Sequence, residues 1–138
     1  SMHKKMNEAT QIYDESGSCG KAILCAYADE IGIPKEVAAR MMDGFDGGYG
    51  DCGEMCSALS AITMILSCKC CKGDEKSRHE TCGKIKQAME MFEKEYGGIK
   101  CKDILKGGDP EQASCRMKVK DSLLILDILM PKEDEQDE

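Results

Sequence analysis

Residues 44–66 read Gly44-Phe45-Asp46-Gly47-Gly48-Tyr49-Gly50-Asp51-Cys52-Gly53-Glu54-Met55-Cys56-Ser57-Ala58-Leu59-Ser60-Ala61-Ile62-Thr63-Met64-Ile65-Leu66. The first ten hold five glycines, and no helix or strand survives that much backbone freedom, so a loop is expected there. From Met55 to Leu66 there is no charged residue, and Ala58, Leu59, Ala61, Ile62, Met64, Ile65 and Leu66 put apolar groups nearly all round a helix. Such a helix is stable only when buried on every side, which makes it the centre of the fold.

Outward from that centre the apolar spacing stays helical, and alternating runs of β-branched and aromatic residues are missing. Upstream, the spacing predicts helices over about Met2–Tyr13, stopping at Ser16-Gly17, over Ser18–Ile31, closing at Gly32, and a short one after Pro34 ending at Gly44. Downstream, Ser77-Arg78-His79-Glu80 reads as a capping box opening a helix to about Tyr96. A short turn over Lys102–Lys106 follows, and then Asp109-Pro110-Glu111 leads into a last helix carrying Val119, Leu123, Leu126 and Met130. The expected fold is therefore all-α: a compact single-domain bundle of about six or seven helices over residues 1–130, followed by an acidic disordered tail over 131–138. The surplus apolar side chains Leu124, Ile125, Ile128 and Leu129 suggest a homodimer through the C-terminal helix.

The chain has 138 residues, enough for one core, and a net charge of -7, of which the last eight residues carry -4. The remainder is nearly neutral, has no cluster of Lys and Arg, and is only 4% aromatic, which excludes nucleic acid as a partner. The longest apolar run, Ser122–Met130, is half of what a membrane span needs, so no membrane partner is expected. No apolar stretch of a secretory signal stands near the N-terminus, which points to the cytoplasm. In a reducing cytoplasm ten cysteines read as metal-binding or catalytic thiols rather than as a disulfide framework.

Four cysteines fall at or near the starts of predicted helices: Cys19 after Gly17-Ser18, Cys56 after the glycine loop, Cys101 after Gly97-Gly98, and Cys115 near the last helix. Free amide N–H groups and the positive dipole end there favour a thiolate, the form that attacks disulfides and binds metals. A single cysteine so placed is more often just a small buried side chain; four together weigh against that.

The order Cys19, then Gly44-Phe45-x-Gly47-Gly48-x-Gly50-x-x-Gly53-x-x-Cys56-x-Ala58, then Gly98-Ile99-x-Cys101-x-x-Ile104-Leu105, then Cys115 resembles the C_GCAxxG_C_C family, named for redox activity. The resemblance implies an all-helical prokaryotic cytoplasmic protein with redox or metal chemistry and no established reaction. It nominates Cys19, Cys56, Cys101 and Cys115 as the functional set, with Gly53 and Ala58 framing Cys56. Two positions depart from the pattern, Ser57 and Ala61 standing where it has glycine, which would tighten any pocket beside Cys56.

Six further cysteines lie outside that pattern. Cys52 and Cys56 would stand one helical turn apart if the central helix began early. Cys68-Lys69-Cys70-Cys71 with Cys82 has a short chelate spacing in Cys68-x-x-Cys71, although the second half of a zinc ribbon is missing and a flexible thiol-rich loop is the stronger reading. Gly47, Gly48, Gly50 and Gly53 offer backbone N–H groups to a ligand ahead of a helix N-terminus. No Gly-Lys-Ser/Thr end or preceding strand makes that loop a nucleotide site, and a long turn passing close to packed helices or to a sulfur site is the stronger reading. His3 and His79 are the only imidazoles, the methionines read as core filling, and no haem attachment motif is present. Three functions remain, in order: thiol redox or electron-transfer chemistry with an unidentified redox partner; a zinc or iron-sulfur site on the same four cysteines; and a helical interaction protein with structural cysteines.

Overall fold

The computed structural model describes residues 1–107 and 112–132, so the proposed cap Asp109-Pro110-Glu111 and tail residues 133–138 lie outside the described residues. Eight α-helices are described: α1 Met2–Ser16, α2 Cys19–Ala26, α3 Ala28–Ile31, α4 Lys35–Met42, α5 Ser57–Cys70, α6 Glu75–Tyr96, α7 Cys101–Gly107 and α8 Gln112–Leu129. A 3-10 turn, Asp43–Phe45, follows α4. The fold is all-α, and among the described residues the sole β feature is an isolated antiparallel bridge between Met55 and Lys100.

α5 packs against α2, α6 and α8, and α2 in turn against α1, α4 and α8. Ile62, Ile65 and Leu66 of α5 meet Ile23 and Leu24 of α2, Phe92 of α6 and Leu123 and Leu126 of α8 in one buried cluster. Each such side chain contributes roughly 1.5–3 kcal/mol by leaving water. The close spacing of α2 and α5 depends on Gly20, where a Cβ would lie 2.6 Å from the Met42 methyl and 2.9 Å from the Ser57 carbonyl oxygen. Both distances are far inside van der Waals contact.

Several helix limits differ from those the spacing suggests. The expected Ser18–Ile31 helix breaks at Tyr27, whose N–H turns to the Leu24 carbonyl at 3.2 Å, leaving α2 and α3 as separate pieces. α6 starts at Glu75, because the Asp74 carboxylate accepts the Ser77 N–H at 2.7 Å. The Ser77 hydroxyl, the proposed cap, instead accepts the Lys72 N–H at 2.9 Å. α5 begins at Ser57, two residues later than expected, and extends to Cys70. Cys52 therefore lies in the preceding turns and not one helical turn from Cys56 on a shared helix.

The glycine loop is tied to itself. N–H groups of Gly50, Gly53 and Glu54 donate to the carbonyls of Gly44, Gly47 and Gly48 at 2.8, 2.9 and 2.9 Å. At Gly48, with φ +79°, a Cβ would sit 2.5 Å from the Glu54 nitrogen and oxygen, so only glycine permits this chain reversal. The loop is also pinned to α2, where the Ser18 hydroxyl donates to the Asp46 carboxylate at 2.6 Å and accepts the Lys21 N–H at 3.2 Å as the helix cap.

Candidate functional site

Because Gly20 lets the first turn of α2 touch the first turn of α5, the N-termini of two helices meet, with Cys19 opening α2 and Cys56 capping α5. The Cys19 sulfur lies 3.4 Å from the Ser57 hydroxyl. A third cysteine arrives through a backbone clasp. The Cys56 N–H donates to the Ile99 carbonyl at 2.9 Å, the Cys101 N–H to the Glu54 carbonyl at 2.8 Å, and the Lys102 N–H to the Gly53 carbonyl at 3.1 Å. Cys115, in the second turn of α8, is the fourth, and it acts on the Tyr13 phenol of α1.

Lys118, one helical turn beyond Cys115, is only 2% exposed. Burial works against its ammonium, but Cys56, Cys19, Cys115 and Cys101, in decreasing order, favour the charge and hold its pKa above the ordinary lysine value. One buried cation is thus favoured, at a distance, by cysteines from four segments of the chain.

These cysteines differ in acidity. Cys56, 2% exposed, is pulled down from the ordinary 9.0 to about 7. The interaction with the Cys19 thiol is the chief cause; burial opposes it, while Lys118 and the backbone amides of Ala58 and Leu59 assist. As a helix cap Cys56 closes no full side-chain hydrogen bond, yet those amides stand near enough to favour its anion. Cys19 is pushed well up, first by its interaction with Cys56, then by burial and by the Cys56 charge. The pair thus releases one proton readily and holds the second. Burial pushes the Cys101 thiol up as well, against the pull of Lys118. The Tyr13 phenol is raised by burial and then by Cys115.

Residues 18–128 match the family model described as "Putative redox-active protein (C_GCAxxG_C_C)". The chain belongs to the C_GCAxxG_C_C family. No curated protein and no solved structure matches the chain. The four cysteines that the family resemblance nominates are the four that act on Lys118. Ser57, directly after Cys56, puts its hydroxyl against the Cys19 sulfur.

Lys118 was invisible as a site residue in the sequence, as were Ser57 and Tyr13. Its one signal is helical phase: Lys118 shares the buried stripe of α8 with Val119 and Ser122, whereas Arg116, two residues earlier, pairs with Asp14 at the surface.

The remaining nominated residues lie elsewhere. The N–H groups of Gly50 and Gly53 are engaged within the loop, and Gly47 and Gly48 are packed against Asp51 and Glu54, so all four glycines serve the turn itself. Cys52 is exposed, its thiol donating to the Gly50 carbonyl at 3.6 Å. Cys68 and Cys71 stand at the far end of α5 and Cys82 on α6. Buried Cys25 is a core thiol donating to the Lys35 carbonyl at 3.6 Å. His79 is exposed in the first turns of α6.

Among the described residues no three His, Cys, Asp or Glu side chains stand close enough to hold one metal ion. That applies to Cys19, Cys56, Cys101 and Cys115 and to Cys68, Cys71 and Cys82. In the first set, a metal cation would moreover share the sulfurs with the Lys118 ammonium, a like charge. No described helix is long and apolar enough to cross a membrane.

Proposed function

We propose that the protein performs thiol–disulfide exchange through Cys19 and Cys56, with Lys118 holding the charge that the exchange requires. The observation that carries this reading is the meeting of two helix N-termini, where Gly20 packs on Ser57 and brings the Cys19 sulfur to 3.4 Å from the Ser57 hydroxyl, next to Cys56 at the cap of α5. Structural cysteines need no cation, and among the described residues Lys118 has no carboxylate partner, a burial that is costly unless an anion forms next to it.

Cys19 is partly exposed and Cys56 is buried, so an incoming disulfide RS–SR meets Cys19 first. The Cys19 thiol passes its proton to the Cys56 thiolate as its sulfur attacks; a Cys19–SR bond forms, the S–S bond of the substrate breaks, and RS⁻ leaves. RS⁻ then takes the proton back from Cys56. The Cys56 sulfur displaces a second RS⁻ from Cys19, completing an intramolecular disulfide. The protein is oxidised by two electrons and the substrate reduced by two; with a dithiol substrate the sequence runs in reverse.

The test is equilibration of anaerobically purified protein with mixtures of reduced and oxidised glutathione, followed by acid trapping, alkylation, intact mass and peptide mapping. The expected result is a loss of about two daltons assigned to a Cys19–Cys56 linkage. If both residues remain alkylatable under strongly oxidising mixtures while other cysteines pair, the exchange reading is overturned.

A further inference from the structure

We propose that the cavity between the glycine loop, α5 and α6 binds a neutral, two-ring aromatic compound carrying one hydroxyl or carbonyl oxygen, with the Ser60 hydroxyl as its polar anchor. The cavity holds about 300 Å³, at the lower end of the range of small-molecule sites and about twice the roughly 150 Å³ that accommodates one benzene ring. None of its lining residues carries a charge, so a charged ligand would lose its hydration with no counter-charge in return. The walls suit an aromatic ring instead. Met55, Met64 and Met89 present flexible thioethers, which adapt to a ring and make favourable contacts with its edge. Phe45 and Tyr49 add two rings already set edge to face, 5.1 Å between centroids.

The polar feature of the cavity is Ser60. It lines the cavity, is 7% exposed, and its hydroxyl has no hydrogen-bond partner among the described residues. Elsewhere on α5 such groups are satisfied within the helix: the Thr63 hydroxyl donates to the Leu59 carbonyl at 2.8 Å, and that of Ser67 to the Thr63 carbonyl at 2.7 Å. The carbonyl one turn before Ser60 belongs to Cys56, and it accepts the Ser60 N–H at 3.2 Å but not the hydroxyl. A buried hydroxyl without a partner is destabilising, and an oxygen on a bound ring compound would supply one.

Tyr49 covers the site. It is 48% exposed and stands at φ +60°, in the left-handed region that bulky side chains rarely adopt. The loop backbone holds it there, its N–H donating to the Phe45 carbonyl and its carbonyl accepting the Cys52 N–H, both at 3.1 Å. Strain of this kind persists where the surrounding structure imposes it, and it clusters at ligand clamps. Glycine would adopt the same backbone freely, so a tyrosine here implies a use for its ring.

The test is a titration of the full reduced chain at neutral pH with 2-naphthol, followed by naphthol fluorescence and by competition with 2-methylnaphthalene, which has the same rings and no oxygen. Saturable binding of one naphthol per chain is expected, about fivefold tighter than the methyl compound. In Ser60→Ala the two compounds should bind alike. Because the Ser60 hydroxyl has no bond within the chain to lose, the denaturation midpoint of S60A should not fall below the native one. Tyr49→Gly should weaken naphthol binding while the chain stays folded. Absence of saturable binding overturns the proposal, as does a naphthol preference that S60A leaves intact, or a loss of stability in S60A. Binding that Y49G leaves unchanged removes Tyr49 from the site. Self-association that excludes naphthol and that Y49G abolishes would make the cavity a contact between copies of the chain, and the ligand reading would fall. The outcome is independent of the glutathione equilibration, because neither Cys19 nor Cys56 lines the cavity.

Discussion

The two ends of α5 carry the same side chain in opposite circumstances. At its N-terminus Cys56 is buried, faces free backbone amides, and shares Lys118 with three other sulfurs. At its C-terminus Cys68 is exposed, Cys70 lies 3.8 Å from the flexible Lys84 ammonium, and Cys71 accepts a weak hydrogen bond from the Ser77 hydroxyl at 3.9 Å. The carbonyl end of a helix offers an anion no donors, and solvent screens a surface lysine. Helix polarity and burial, rather than the number of thiols, therefore set the two ends apart.

The severest way to break this contrast is Gly20→Ala. Its Cβ would press on the Ser57 backbone and Met42 at 2.9 and 2.6 Å, and overpacking of this kind costs about 1–3 kcal/mol. Chemical denaturation should show that loss together with weaker acidity of Cys56, because the two N-termini are forced apart; native stability with an unaltered thiolate profile would show that the close approach is not what assembles the site.

Next in size is the pH dependence of stability. Cys56 ionises near 7 in the folded chain against 9.0 for an ordinary thiol, so between those values the unfolded chain binds more protons and stability rises with pH, by on the order of 2 kcal/mol. Cys19 acts oppositely: its raised pKa means that the folded chain keeps a proton above pH 9.0 that the unfolded chain has lost, so stability falls again there. Denaturation midpoints measured from pH 6 to 10 should pass through a maximum near 9.0, and in C56S the rise below it should vanish. The smallest effect is expected at the other end, where Cys68→Ser should change stability by less than about 0.5 kcal/mol and leave the Cys56 titration in place. A displaced titration would mean that the two ends of α5 communicate.

The all-α fold was legible because α5 is apolar nearly all round and the glycine run before it forbids a regular element. The limits that escaped detection were settled by competition between neighbours. Asp74 offers an earlier cap than Ser77, and Tyr27 interrupts what apolar spacing alone reads as one helix. The four cysteines could be nominated from their places after glycine or serine at helix starts and from the family resemblance. Lys118 could not, because it lies in Arg116-Met117-Lys118-Val119-Lys120, where three basic residues at alternate positions look alike until the phase of α8 is known. Nor does sequence spacing reveal the Gly20–Ser57 contact, since the two residues belong to different helices and meet only when α2 and α5 pack.

The clasp between residues 53–56 and 99–102 makes the site sensitive to chain length in a way that it is not sensitive to composition. Its hydrogen bonds are all backbone to backbone, and Glu54 adds ion pairs across it to Lys100 and Lys102 at 3.5 and 3.6 Å. A single residue inserted or deleted on either side would shift the register by one position, turning Cys56 or Cys101 away from the cation without touching either cysteine. Spacing here is therefore a functional property in its own right, as exacting as the identity of the residues it brings together.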